Sequence, residues 1–181
     1  MNTYNVPTNI VKALFLFTAK KDRRLALTGI CLQCENGVVR LTAACGATLA
    51  TWNCVVDSST PSEEIIIPND IIKAGLAAFG KTSILTISRE SFNGLNYEPI
   101  KVPAPPFKNA WPKDISEKPI KLDPELFARI GHANKALGLP TNHFNDWHMS
   151  NMSIIFDNGQ IRGMIMGVRE ESTNTKNFPA F

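Results

Sequence analysis

The sequence predicts an α+β fold in which antiparallel sheets carry short helices packed on one face. Two hairpin signals indicate the antiparallel pairing, because Asn36-Gly37 and Asp157-Asn158-Gly159 each separate two runs of strand-forming residues. Short helical patterns alternate with these strands along the chain. A sheet of this kind buries one face under its helices, which gives the α+β class.

The first hundred residues contain two units with the same order of elements. The first is predicted to contain a strand, a helix at 10–19 with Thr8 or Asn9 as N-cap, and strands at 25–35, 38–44 and 49–56. The second is predicted to contain a strand at 64–67, a helix at 71–79 capped by Asn69-Asp70 and ended by Gly80, and strands at 82–88 and 96–102.

The remaining third begins with an extended linker, because five prolines lie between residues 102 and 119. Asp123-Pro124 starts a helix that ends near Gly138, since Asp is a favoured N-cap and Pro a favoured first helical residue. Strands at 152–156 and 160–168 form the second hairpin, and residues 170–181 are expected to be a mobile tail.

Composition narrows the class of protein. The chain has 181 residues, 44% of them hydrophobic, and a formal net charge of +3. It has no apolar run of about 18 residues and no convincing secretory signal, so a soluble, cytoplasmic protein with no membrane partner is expected. Lys20, Lys21, Arg23 and Arg24 form the tightest basic cluster, with Asp22 inside it. This charge permits nucleic-acid binding without requiring it, and a solvated turn is the simpler interpretation.

The chain shows no catalytic motif and no cofactor is expected. Cys31 and Cys34 have C-x-x-C spacing, but side chains three residues apart on a strand point to opposite faces, so we expect reduced thiols rather than a metal or redox pair. His143, Asp146 and His148 are the best metal-like group, although no regular spacing places all three on one face. A surface loop is favoured for these residues, and a metal-dependent enzyme centred on them is kept as the least favoured hypothesis.

The run from residue 22 to residue 50, DRRLALTGICLQCENGVVRLTAACGATLA, resembles the middle domain of the bacterial DNA polymerase III β sliding clamp. That family reads D-x-R-x-x-L-N-G, a hairpin, and then A-T-D-G-H-R-L-A, and the matching residues here are Arg24, Leu27, Gly29, Gly46, Leu49 and Ala50. Further along, IIIP at 65–68, FKNAWP at 107–112 and MIMGVR at 164–169 are similar to later elements of the family, in the same order.

The resemblance implies a clamp-like domain at residues 1–115, a partial second clamp-like unit at 116–170 and a flexible tail at 171–181. It also implies helices facing DNA, sheets outside, and a partner-peptide pocket between two units. By position, that pocket would contain Leu27, Thr42, Gly46, Ala47, Thr48, Leu49, Met166 and Val168. The cations predicted to face DNA are Lys12, Lys20, Lys21, Arg23, Arg24, Lys73, Arg129 and Lys135.

The sequence also departs from the family. Cys45, Ala47 and Thr48 stand where the family has Asp, His and Arg, so the pocket has fewer polar groups than the family's. The chain is about half the length of a three-domain clamp, so a ring would need a non-standard homo-oligomer.

The resulting hypothesis is a non-enzymatic replication or repair accessory protein that encircles or flanks a DNA duplex, without sequence specificity, and binds partner peptides. The alternative is a clamp-fold interaction module or decoy that does not bind DNA. In a separate hypothesis, the NFPAF segment at 177–181 docks in a neighbouring subunit or another clamp, although a disordered end is the simpler interpretation.

Overall fold

The computed structural model describes residues 2–112, 120–150 and 152–167. Its α-helices are α1 (Thr8–Phe15), α2 (Asn69–Phe79) and α3 (Pro124–Ala136). Its strands are β1 (Thr3–Pro7), β2 (Gly29–Glu35), β3 (Val38–Cys45), β4 (Thr48–Val55), β5 (Glu63–Pro68), β6 (Ile84–Ser88), β7 (Ser91–Phe92), β8 (Leu95–Asn96), β9 (Asp146–Ser150), β10 (Ser153–Asp157) and β11 (Arg162–Met166). Val168 and the tail at 171–181, including NFPAF, lie outside the described residues.

Both predicted hairpins are confirmed. β2 and β3 pair antiparallel across Asn36 and Gly37, whose φ angles of 51° and 72° are those that a tight hairpin turn requires. β10 and β11 pair antiparallel across the turn that contains Gly159, which has a φ of 84°.

The strands of the described residues form two sheets, in agreement with the predicted α+β class. One has four strands in the order β1-β6-β7-β8, and the other has seven in the order β5-β2-β3-β4-β11-β10-β9. The larger sheet continues from the first hundred residues into the last third of the chain, because β4 pairs antiparallel with β11. Residues from distant parts of the sequence therefore meet at this junction.

The main core lies between the sheets and the helices. It combines buried side chains from β1 and β6, from all three helices and from one face of the seven-stranded sheet. α1 packs against both α2 and α3. Phe17 and Phe156 stack with ring centroids 5.9 Å apart and join the two ends of the chain. The helices therefore cover one face of the large sheet, as predicted.

The structure corrects several predicted elements. α1 ends at Phe15, and residues 25–27 form a 3₁₀ turn instead of the start of a strand. Residues 146–150, interpreted as a loop, form the edge strand β9. The strand predicted at 96–102 is almost absent, since only its first residue belongs to β8. The chain beyond β8 instead crosses the larger sheet, where the Ile100 amide donates to the Ile66 carbonyl at 3.0 Å.

None of the helices in the described ranges has the length and hydropathy that a bilayer crossing requires.

Candidate functional site

The predicted pocket residues lie around the junction of β4 and β11. Leu49 on β4 is opposite Met164 on β11, and both pack with Leu27 in a small apolar cluster on the outer face of the sheet. Thr42 on β3 lies on the same face, because it pairs with Thr51 two residues beyond Leu49. The structure therefore brings Leu27, Thr42 and Leu49 together on one face.

Two aromatic residues cover this cluster. Phe107 begins a 3₁₀ turn (Phe107–Ala110), and it packs with Trp111 against the apolar cluster. As a result Leu27 and Leu49 are only 5% and 3% exposed. These two leucines form the base of the site, and Phe107 and Trp111 form its wall.

The other predicted pocket residues lie at the β3–β4 turn. Gly46 is exposed and Ala47 is half-buried, and the Ala47 carbonyl accepts a hydrogen bond of 2.8 Å from the Met166 amide. Thr48 is buried on the opposite face from Leu49, as strand alternation requires. Thr48 is thus behind the site rather than in it, and Val168 lies beyond the described residues.

An open pocket of about 280 Å³ lies beside the covered cluster. Thr42, Leu49 and Thr51 form its floor, and Phe107 and Trp111 form one side. The remaining lining residues are Arg40, Asn53, Lys108 and Arg162. The Arg162 guanidinium lies over the Trp111 ring, 5.1 Å from its centroid. The pocket therefore offers an apolar base beside several cations, and no arrangement of nucleophile and base.

Sequence reasoning missed Arg40, Phe107, Trp111 and Arg162 as pocket residues. In the sequence, the segment at 107–112 resembles only the end of a domain, and no residue in that segment indicates which strands it covers. Alternation from Leu49 would have placed Thr51 on the pocket face, but the β4–β11 pairing that brings in Arg162 joins residues more than one hundred positions apart.

Cys45 occupies a polar corner beside the site. Its Sγ lies 3.0 Å from Thr48 Oγ1 and accepts a hydrogen bond of 3.5 Å from the Arg129 guanidinium. Burial alone would raise the pKa of this thiol, but hydrogen bonds from Thr48 and from the Ala47 amide, together with the charge of Arg129, lower its pKa below the ordinary value. By contrast, burial raises the pKa of Cys31 to about 12.

The predicted DNA-facing cations fall into three groups. Lys20, Lys21, Arg23 and Arg24 lie on the turn after α1, where Arg24 forms an ion pair of 2.9 Å with Asp22. Lys73 on α2 and Lys135 on α3 are exposed. Lys12 and Arg129 point inward, because Lys12 donates to the Gly80 carbonyl and Arg129 donates to the Leu16 carbonyl at 3.2 Å.

The metal-like residues do not form a site in the described structure. His148 Nδ1 lies 3.9 Å from Asp146 Oδ2, at the start of β9. Among the described residues, no group of three His, Cys, Asp or Glu side chains is arranged to hold an ion. Cys31 and Cys34 belong to different core clusters on opposite faces of β2, as predicted, and both are free thiols.

A second, larger pocket of about 540 Å³ was not anticipated from the sequence. It lies between the edge strand β5 and residues 97–103. Among its several charged lining residues, Arg89 is paired with Glu63 at 3.0 Å, and the lining residue Tyr97 donates its hydroxyl to the Ser88 carbonyl at 2.8 Å. These two polar groups are therefore already engaged within the protein.

Successive βαβββ units define the DNA-clamp class of fold. In that class the sheets lie on one side and the helices on the other. Comparison with solved structures shows the same fold. A DNA polymerase III subunit beta from Pseudomonas aeruginosa matches with a TM-score of 0.66 and 12% identity, over 93% of this chain and 66% of that one. A sliding clamp from Bacillus subtilis gives 0.64 and 14%, over 93% and 64%. The Helicobacter pylori beta clamp bound to a DNA ligase peptide gives 0.65 and 10%, over 92% and 65%.

The chain thus has the fold of bacterial sliding clamps, and the resemblance seen in the sequence is confirmed at the level of the fold. It spans slightly less than two thirds of the length of the clamps it matches. No protein-family model matches the sequence, and no curated protein matches it.

Proposed function

We propose that this chain is a non-enzymatic accessory protein of DNA replication or repair. It binds partner peptides in the pocket at the β4–β11 junction and contacts duplex DNA through the cations of its helix layer. The observation that carries the proposal is the position of the pocket. It lies at the pairing of β4 with β11, and the family resemblance predicts a peptide pocket between the two units to which these strands are assigned. A clamp of similar fold is bound to a DNA ligase peptide, which supports this use of the fold.

The DNA contact is expected to be electrostatic and independent of sequence. Lys73, Lys135 and the cluster at 20–24 supply exposed cations that can approach phosphates. A chain of this length encircles DNA only as a homo-oligomer. The strand β9 is suited to such association, because among the described residues it pairs on one side only, with β10, and its Trp147 is 57% exposed.

A second candidate function is a clamp-fold interaction module, or decoy, that captures clamp-binding peptides without contacting DNA. The inward orientation of Lys12 and Arg129 favours it, since both cations already have hydrogen-bond partners inside the protein. The helices then present fewer charges to DNA than their sequence suggests.

The two candidates are separated by measuring the binding of a fluorescent 30-base-pair duplex as a function of salt. The triple variant Lys21→Gln/Lys73→Gln/Lys135→Gln removes three cations. If all three contact phosphates, the slope of log affinity against log salt falls in magnitude by about 3. Lys101→Gln, which removes an exposed cation paired with Glu98, is the matched control. Absence of duplex binding at low salt by the unmodified protein would reject the DNA part and favour the interaction module.

A further inference from the structure

The pocket at the β4–β11 junction has a cationic rim. Arg40 comes from β3, Arg162 from β11 and Lys108 from the 3₁₀ turn. Within the described residues, Arg40 and Arg162 have no carboxylate at ion-pair distance, while Lys108 lies 3.8 Å from Glu35 with both side chains exposed. Arg40 donates to the amide oxygen of Asn53, at 3.0 Å. Neither guanidinium group is paired with a carboxylate within the part of the chain that the structure describes, and both groups line the pocket.

The base of the same pocket is small and combines Thr42 and Thr51 with Leu49. Leu49 lies at the bottom, and Phe107 and Trp111 close one side. The Arg162 guanidinium rests over the Trp111 ring, which orients its donors along the rim. The volume of about 280 Å³ accommodates one or two side chains and excludes a nucleic-acid duplex.

We propose that this pocket selects partner peptides in which carboxylate side chains flank an aliphatic or aromatic one. The inference rests on the proposed function and specifies the partner of that site. A guanidinium binds a carboxylate through two parallel hydrogen bonds, so Arg40 and Arg162 recognise acidic side chains while the half-buried Phe107 and Trp111 contact the apolar one. Charge complementarity at the rim thereby supplies the polar recognition that Ala47 and Thr48, standing in the place of His and Arg, cannot provide.

A phosphate ligand fits the rim less well than a peptide does. A phosphate group would use the cations but leave the two half-buried aromatic side chains, Phe107 and Trp111, without an apolar contact. An acidic and apolar peptide satisfies both surfaces at once. Binding of a nucleic acid at this rim would contradict the proposal.

The test uses the full chain and two labelled peptides, Gly-Asp-Leu-Asp-Phe-Gly and its amide counterpart Gly-Asn-Leu-Asn-Phe-Gly. At low salt the acidic peptide is expected to bind at least about fivefold more tightly, which corresponds to about 1 kcal/mol, the upper range for an exposed ion pair. The double variant Arg40→Gln/Arg162→Gln should bind both peptides equally. Lys81→Gln removes an exposed cation outside the pocket and should keep the preference.

Four results would overturn the inference. Equal binding of the two peptides by the unmodified protein removes the acidic preference but leaves a peptide pocket in place. A preference that persists in the double variant, with its thermal unfolding unchanged, assigns the effect to other cations. Displacement of the acidic peptide by a short duplex, seen with the unmodified protein but not with the double variant, assigns the rim to phosphate. If neither peptide binds at any salt, the peptide part of the proposed function fails as well.

Discussion

At the scale of single residues, Cys45 forms a polar contact between the β3–β4 turn and α3. Its thiol contacts Thr48 and accepts a hydrogen bond from Arg129. Arg129 belongs to α3 and also binds the Leu16 carbonyl just after α1. The lowered pKa of this thiol follows from these contacts, which connect two helices to the β3–β4 turn.

Alkylation rates test this role of Cys45. A lowered pKa increases the thiolate fraction at a given pH, and the thiolate is the reactive species. At about pH 7.5, iodoacetamide should therefore modify Cys45 well before the buried Cys31, whose pKa is raised. Arg129→Gln should slow the modification of Cys45, and Arg23→Gln should not. Peptide mass spectrometry over time measures both rates. Faster modification of Cys31 would contradict the assignment.

Gly163 is a second residue-scale constraint. A Cβ at this position would lie 2.4 Å from the Phe156 ring and 2.7 Å from the Leu49 carbonyl oxygen, so β11 approaches its neighbours as only glycine allows. Gly163→Ala should lower the free energy of unfolding by about 1–3 kcal/mol.

Urea denaturation measures this loss, and Gly131→Ala is the control. Gly131 lies in α3, and the nearest neighbouring atom would be 3.5 Å from a Cβ there. Alanine at that position should leave stability unchanged or raise it by up to about 1 kcal/mol, because alanine has the better helix propensity. Equal effects at the two glycines would show that β11 is not tightly packed.

Sequence reasoning reached some site residues and missed others for a physical reason. Leu27 and Leu49 were predicted from the resemblance, because both lie in the gap-free stretch at 22–50 that carries it. Arg40, although in that stretch, lines the pocket only because residues 107–111 fold over it. A proline-rich segment has no strand-pairing register of its own, so the local sequence does not predict where it packs.

At the scale of elements, α3 connects the last third of the chain to its first hundred residues. It packs on α1, and its buried Asn134 forms a hydrogen bond of 2.6 Å with Asn158 in the β10–β11 turn. Its start is fixed by Asp123, whose carboxylate accepts a hydrogen bond of 2.8 Å from the Glu125 amide. This cap was predicted from Asp123-Pro124, and it is confirmed.

Removal of the N-cap of α3 should lower the stability of the protein. Asp123→Ala leaves a helical amide without its partner and is expected to cost about 1 kcal/mol in the free energy of unfolding. Asp123→Asn keeps an oxygen acceptor at the N-cap and should cost much less. Chemical denaturation of the three proteins side by side gives the comparison. Equal losses in both variants would indicate that charge, rather than capping, is the contribution of Asp123.

The elements that were mispredicted share a feature. Residues 146–150 form β9 although Asp146 is a poor strand former, because pairing with β10 overrides local preference. Residues 25–27 look like a strand but form a 3₁₀ turn, in which the Leu27 amide donates to the Arg24 carbonyl at 2.9 Å. In each case the local strand or loop preference did not decide the structure. The two hairpin turns and the cap at Asp123 were predicted, whereas the N-caps predicted for α1 and α2 are wrong, because Pro7 and Pro68 stand at those positions without a side-chain cap.

At the scale of the whole molecule, the seven-stranded sheet ends in the edge strand β9. Exposed edges invite pairing with another chain, and an exposed aromatic residue beside the edge strengthens it. We therefore expect self-association through β9. Trp147→Lys should reduce the solution mass toward that of the monomer, as measured by light scattering at several protein concentrations.

Phe127→Lys is the control for that variant. Phe127 is also exposed, but it lies on α3 rather than on the β9 edge. Its replacement should leave the mass unchanged. A monomeric unmodified protein, or loss of association in both variants, would argue against β9 as the interface.

The proposed function includes encirclement of duplex DNA by an oligomer of this chain. The most direct measurement mixes the protein with a nicked circular plasmid at physiological salt, separates bound from free protein by gel filtration, and repeats the separation after a single cut linearises the plasmid. We expect an oligomer that stays bound to the circular plasmid and is lost from the linear plasmid, because it is held by topology rather than by affinity. Equal retention on both forms, or retention on neither, would contradict encirclement of DNA.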